Sequence, residues 1–245
     1  MAARPTIAVV IPAWDEAVSI GAVLDEVPAG VIDQVLVVVA SPTDPTADVA
    51  RAHGATVLVQ HAAGYGAACW TGAQAAIELG AQVIAFLDGD YADPPAELPR
   101  LLAPLCDGRA DLVLGCRDLR QHPEALPIHA RAGNRLVLLL LRLLLGAPFT
   151  DLPSFKAIRV DALRRLDMHE MTYGWTVEML VKSWRARLRV AEIHVTYRPR
   201  RGGHSKVAGS LSGSLRAATK LVGCAVGYVG WRPDARPALG GSAWS

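Results

Sequence analysis

An α/β fold, built on a mostly parallel sheet covered by helices on both faces, follows from three observations in this chain. Short apolar runs alternate with helix-patterned stretches from Ile7 to Leu114, the pattern of strands buried on both sides and joined by crossover helices. The run Val83 to Leu87 leads straight into Asp88-Gly89-Asp90-Tyr91-Ala92-Asp93-Pro94, an acidic loop at the carboxyl end of a strand, where open α/β sheets bind ligands. Finally, 245 residues without an internal repeat suit one α/β domain with a large core.

The elements follow in order. Ile7 to Ile11 is a first strand, ended by Pro12, and Val18 to Val27 has the spacing of an amphipathic helix. Val35 to Val39 is a second strand. Asp44-Pro45-Thr46 then gives an N-cap with proline at the first helical position, opening a helix to about His53. Thr56 to Val59 is a third strand, and Gly64-Tyr65-Gly66 opens a helix of small residues to about Leu79. After the fourth strand and the acidic loop come a helix over Pro94–Leu105 and a fifth strand over Asp111–Leu114, closing at Gly115-Cys116-Arg117.

Beyond Arg117 the character changes. Asp118 to Ile128 is polar and proline-bearing, and a Leu-rich helix follows from about His129 to Leu145. Phe155–Val160 and Leu188–Tyr197 read as strands, with a helix near Trp175–Arg185 between them. Arg198 to Gly209 is a basic, glycine-containing loop, Ser210 to Val229 a last helix, and residues 232–245 an aperiodic tail expected to be disordered. The expected organisation is a single domain over 1–231, with a ligand-binding half at 6–117 and a second half at 118–231.

Composition excludes several functions. Lys+Arg (25) and Asp+Glu (23) leave a net charge of only +2, so no global field recruits nucleic acid. Cys69, Cys106, Cys116 and Cys224 lie far apart, without metal or redox spacing, and read as small core residues in a reducing compartment. The N-terminus runs directly into the first strand without the core of an export signal. Leu136–Leu145 and Leu221–Val229 fall short of the roughly 18 to 20 residues that span a bilayer. The expected location is therefore the cytoplasm, or its membrane face as a peripheral protein.

The chemistry-bearing residues sit at strand ends. Asp88 and Asp90 flank one small residue on a loop expected to be exposed, so their carboxylates can converge on a hard divalent cation such as Mg²⁺ or Mn²⁺, which in turn holds diphosphate oxygens. Glu16, just past Pro12, Ala13 and Asp15, could accept hydrogen bonds from a nucleotide or satisfy a helix N-terminus. Gly64 and Gly66 permit close backbone approach, either of a phosphate to the helix amides or of another segment in a tight turn. Arg117, Arg131, Arg198, Arg200, Arg201 and Lys206 supply donors for anionic groups, or are solvated surface charges. Glu178 is either a functional carboxylate or the i,i+4 partner of Lys182.

These motifs in succession resemble glycosyltransferase family 2, the GT-A fold, and its bacterial branch similar to dolichol-phosphate mannose synthase. The resemblance rests on Ile11-Pro12-Ala13-Trp14-Asp15-Glu16, Thr43-Asp44-Pro45-Thr46, Gly64-Tyr65-Gly66, Asp88-Gly89-Asp90 with Asp93-Pro94, Gly115-Cys116-Arg117, Arg131 with Gly133-Asn134-Arg135, Gly174-Trp175-Thr176-Val177-Glu178-Met179 and Gly202-Gly203-His204-Ser205-Lys206. It implies an inverting transferase that moves a sugar from a nucleoside diphosphate donor to a polyprenyl phosphate or a hydroxyl. It further implies that Asp88 and Asp90 hold Mg²⁺ or Mn²⁺, and that Arg117 and Arg131 face the leaving or accepting phosphate. Glu178 faces the acceptor beside Trp175, and Arg198, Ser205 and Lys206 belong to a cover over the donor. Where the family usually has an Asp reading the base, alignment puts Val39, which implies weak discrimination among bases; Ala63 and Ala92 also depart from the family. A sugar nucleotidyltransferase, identified by pyrophosphate release, and a catalytically silent nucleotide-sugar-binding protein are the alternatives. A lipid-phosphate or small-molecule acceptor, peripheral membrane contact and a homodimer complete the expected partners.

Overall fold

The structure is a computed structural model that describes residues 4–202 and 211–233, the side chains of 211–218 excepted. Ser205 and Lys206, and most of the tail, lie outside the described residues. One sheet carries the whole arrangement. Its strands are β1 (Ile7–Ala13), β2 (Gln34–Val39), β3 (Thr56–Val59), β4 (Val83–Phe86), β5 (Leu112–Asp118), β6 (Lys156–Arg159) and β7 (Val190–Thr196), in the order β3-β2-β1-β4-β6-β5-β7. β1 to β4 pair in parallel, as their crossovers require, and β7 pairs in parallel with β5. Only β6 runs against its neighbours, aligned Ile84↔Ile158 with β4 and Leu112↔Ile158 with β5.

Alternation along the strands divides the core in two. Ala8, Val10, Leu36, Val38, Ile84 and Phe86 face a layer formed by α3 (Tyr65–Glu78), α5 (Ile128–Leu145), α6 (Val160–Leu166), α7 (Trp175–Arg185) and α8 (Leu211–Tyr228). Ile7, Val9, Ile11, Val37, Val39 and Val83 face α1 (Ile20–Asp25), α2 (Thr46–Ala52) and α4 (Leu98–Cys106). α3 lies close over β1 and β2 because Gly72 has no side chain: a Cβ there would stand 2.3 Å from Val10 Cγ1. The α/β expectation, with helices on both faces, is what the molecule has.

Local differences have local causes. Asp44 Oδ1 accepts the Thr46 N–H at 2.9 Å, but the N-cap is Pro45 rather than Asp44, and α2 begins at Thr46, one residue later than expected. α4 is preceded by a 3₁₀ turn over Pro95–Glu97. β5 runs four residues past Leu114, because Gly115 to Asp118 pair with Ile193 to Thr196 of β7. α6, unforeseen, follows β6 without a turn residue between them. Cys106 is exposed while the other three cysteines are buried, which corrects the reading of all four as core.

Candidate active site

A cleft of about 600 Å³ opens along the carboxyl ends of β1, β2 and β4. Pro12 and Ala13 line it at the end of β1, Trp14 and Glu16 just after it, Val38 and Ala40 at β2, and Asp88, Gly89 and Asp90 after β4; Gln60, Ala63, Gly64, Tyr65, Ala68, Thr172, Tyr173 and Arg200 complete the wall. The turn after β1 is fixed by α2, since Asp15, at φ 57°, donates its N–H to Asp44 Oδ2 (2.9 Å) and Glu16 donates its N–H to Thr46 Oγ1 (2.8 Å). Glu16 Oε2 accepts the Ser19 hydroxyl at 3.0 Å. Trp14 is 60% exposed, so its ring forms an open apolar wall.

The acidic loop is buried rather than exposed, which corrects the sequence-based expectation: Asp90 and Asp93 are 3% and 1% accessible. Asp90 Oδ1 accepts the Ala92 N–H at 2.9 Å, and its Oδ2 lies 3.0 Å from Arg200 Nη1. Asp93 stands behind the pair, accepting the Ser154 hydroxyl at 2.7 Å and the Asp88 N–H at 3.3 Å through the same oxygen. Asp88 Oδ1, Asp93 Oδ1 and Tyr65 Oη are buried without a hydrogen-bond partner. Burial, reinforced by the charge of Asp90, pushes Asp88 up to about 6, and burial with the charges of Asp88 and Asp90 pushes Asp93 up to about 7. Countercharge comes from Arg200 on the cleft side and from the fully buried Lys156 beneath. The Lys156 ammonium donates to Pro153 O (3.0 Å), Ser154 O (3.2 Å) and Thr176 Oγ1 (3.0 Å). An orphaned carboxylate oxygen within a set of hard oxygen donors fits a divalent cation. Among the described residues no cluster of three or more ligating side chains forms, so a cation at Asp88 and Asp90 needs ligand oxygens or water to complete its shell.

The profile of the family described as glycosyl transferase family 2 matches residues 8–167. The chain belongs to that family. An uncharacterised glycosyltransferase of Mycobacterium tuberculosis is 39% identical over 218 residues, 88% of this chain and 95% of the relative. The undecaprenyl-phosphate mannosyltransferase of Micrococcus luteus is 31% identical over 91% of this chain and 96% of its own length. The dolichyl-phosphate hexose transferase of Haloferax volcanii is 32% identical over 80% of this chain and 84% of its own. Among solved structures, glucosyl-3-phosphoglycerate synthase of M. tuberculosis, crystallised with Mn²⁺, UDP-glucose and phosphoglyceric acid, superposes with a TM-score of 0.76 at 24% identity, over 94% of this chain and 81% of that one. The sheet and its helical layers are accordingly of the GT-A type, and the protein is a glycosyltransferase.

Within this family 2 enzyme the structure brings Pro12, Ala13, Glu16, Gly64, Asp88, Gly89 and Asp90 together around the cleft, with Asp15 shaping the turn beside it. Others on the candidate list lie elsewhere. Val39 is fully buried among Val9, Ile11 and Ala47 on the opposite face of the sheet, and the cleft meets Val38 and Ala40 instead. Gly66 serves chain packing, since its N–H donates to Thr172 O at 3.2 Å and a Cβ on it would stand 2.2 Å from Glu170 O. Gly64, which lines the cleft, is equally crowded by Met171 O. The first amides of α3 thus bind the 170–172 loop rather than a phosphate.

Glu178 does not open on the cleft. It is fully buried, 2.7 Å from Lys182 Nζ, and accepts the N–H groups of His169 (2.9 Å) and Glu170 (2.7 Å), so it staples the loop that carries Thr172 and Tyr173. Trp175 is core, packed on Trp70 and Phe86. Arg117 forms a two-pronged pair with Asp151 and lies over the Tyr197 ring, Arg131 donates to Leu126 O, and Arg198 pairs with Glu26. None of these three arginines lines the cleft. Trp14, Gln60, Tyr65, Thr172 and Tyr173 had no role in the sequence reading, although Trp14 and Tyr65 stand inside its motifs.

Proposed function

We propose that this enzyme transfers a sugar, with inversion, from a nucleoside diphosphate donor to a polyprenyl phosphate, using Mg²⁺ or Mn²⁺ on Asp88 and Asp90. The observation that carries the donor half is the orphaned Asp88 Oδ1 beside Asp90 at the floor of the strand-end cleft. On this reading the base and ribose lie between Trp14, Val38, Ala40 and Gln60, and the diphosphate over Gly89 and the carboxylates, a course supported by the lining of the cleft. The Gln60 amide offers both donor and acceptor to a base edge. A divalent cation bound there takes up charge on the leaving diphosphate, and Arg200 is the cleft arginine able to do the same.

The acceptor half rests on the carboxylates. Of the cleft's acids among the described residues, Asp88 and Asp90 are assigned to the cation and Glu16 is engaged by Ser19. Glu178 is sealed in its pair with Lys182. This favours an acceptor that is already an anion, whose phosphate oxygen attacks the anomeric carbon without surrendering a proton. The names of the M. luteus and H. volcanii relatives support the same class.

A lipid acceptor also gives α5 a purpose. Ile128 (82% exposed), Leu136 (49%), Leu139 (52%) and Leu143 (71%) form one outward stripe, with Arg135 and Arg142 along one edge and no acid on the helix. Such a face complements an anionic bilayer. No helix among the described residues is long and apolar enough to cross a membrane, so contact would be peripheral.

Mass spectrometry of products from UDP- and GDP-sugars, with and without undecaprenyl phosphate, tests the reading. Glycosyl-phospholipid should appear only with lipid and metal; transfer to water or a free hydroxyl alone counts against the acceptor, and pyrophosphate release against the reaction class. Sedimentation with anionic vesicles should carry down the wild type but not Leu139→Asp/Leu143→Asp.

A further inference from the structure

One carboxylate joins the cleft wall to the last helix. Glu170, buried between them, accepts the Thr172 N–H (3.0 Å) and the Thr172 hydroxyl (2.5 Å) through Oε1. Its Oε2 accepts the Cys224 thiol at 3.2 Å and lies 3.2 Å from Lys220 Nζ, both on α8. The Glu170 backbone is fixed separately, because its N–H donates to Glu178 on α7. A carboxylate is planar, so contacts that hold one oxygen aim the other. Lys220 and Cys224 thus direct Oε1 at Thr172, and Thr172 with Tyr173 forms one wall of the cleft. Neither Lys220 nor Cys224 lines the cleft.

The seam around this joint combines close contact with open space. At Gly174 a Cβ would stand 2.7 Å from Glu170 Cγ and nearer still to Cys224 Sγ, so α8 is pressed against the loop there. Beside that contact α8 presents Gly223 and Gly227, and a groove of about 640 Å³ opens between them, Glu170, Lys220 and Tyr228. Glu170 therefore has room to swing away from Thr172 once its hold on α8 is lost.

We propose that Glu170 is a positioning residue for donor binding: held by Lys220 and Cys224 of α8, it keeps Thr172 and Tyr173 in the shape that receives the nucleoside diphosphate. This rests on the donor reading given above. The Lys220 contact is charge-assisted, and it is the stronger of the two α8 links because a thiol is a weak donor. A change at Lys220 therefore reaches the cleft through Glu170 and Thr172.

The test is UDP and GDP affinity by isothermal titration calorimetry at saturating Mn²⁺, on the full chain. Wild type is compared with Lys220→Met, Lys220→Arg, Thr172→Val and the double variant Lys220→Met/Thr172→Val. The Lys220 side chain is 47% exposed, so its variants should fold, and their melting temperatures check this. Lys220→Met should weaken binding of the nucleotide that the wild type takes by about threefold, the scale of one partly exposed ion pair. Lys220→Arg, which keeps the charge, should restore it. In the Thr172→Val background Glu170 no longer holds a hydroxyl, and Lys220→Met should lose most of its effect, the non-additivity expected of residues joined through a third. Wild-type affinity in Lys220→Met, an equal loss in Lys220→Arg, or effects at the two positions that simply add would each overturn the positioning role and leave the donor site standing. A wild type that binds neither nucleotide removes the donor site and this inference together.

Discussion

At the scale of single residues, the acidic cluster is held together against its own repulsion. Asp88→Asn removes a negative charge that burial and Asp90 both oppose. The metal-free variant should therefore melt no lower than the wild type, while losing most transfer activity and Mn²⁺ affinity; differential scanning fluorimetry with an activity assay shows both at once. Glu178→Gln does the reverse. It strands the Lys182 ammonium in the core, and breaking a buried pair costs about 3–5 kcal/mol, so melting should fall sharply. If Glu178 were a base, the variant would instead keep its stability and lose most of kcat together with the fall of kcat at low pH.

Elements show what a sequence can and cannot carry. The strands were legible because burial on both faces gives unbroken apolar runs, yet that same property hid which face each residue takes. Val38 and Val39 are both buried valines, and a shift of one residue moves a side chain through the sheet. Asp88, Gly89, Asp90 and Glu16 were legible because each closely follows a strand; Gln60, Thr172 and Tyr173 come from separate segments that only the folded chain brings together. Glu178 and Lys182 carried both readings in their spacing, and only burial decided between them. α3 gives the matching test. Gly72→Ala gains helix propensity of up to about 1 kcal/mol but overpacks Val10 and Val38, at a cost of about 1–3 kcal/mol. The expected result is a lower melting temperature and, because Val38 lines the cleft, a raised donor KM.

Across the whole molecule, pH should couple the cleft to stability. An unfolded aspartate has a pKa of about 4, whereas Asp88 and Asp93 stand at about 6 and 7 in the folded chain. Between about pH 4 and 7 the folded state holds more protons at these sites than the unfolded state does, so their contribution falls as pH rises through that window. Asp93→Asn, which cannot ionise, should thus gain on the wild type in melting temperature from pH 5 to 7.5 without metal. Saturating Mn²⁺, which binds the ionised form, should narrow that gap.

The place of β6 also orders events in time. Its four residues, Lys156–Arg159, lie between β4 and β5, so during synthesis β4 keeps one edge unpaired until the polypeptide has grown about seventy residues further. At about 5–20 residues per second the wait lasts on the order of ten seconds. In the same interval α5 leaves the ribosome before the sheet that covers its Val137 and Leu141 is complete. The nascent chain is therefore at its most adhesive midway through translation, and chaperones that recognise bare strand edges and leucine-rich helices have their longest opportunity there.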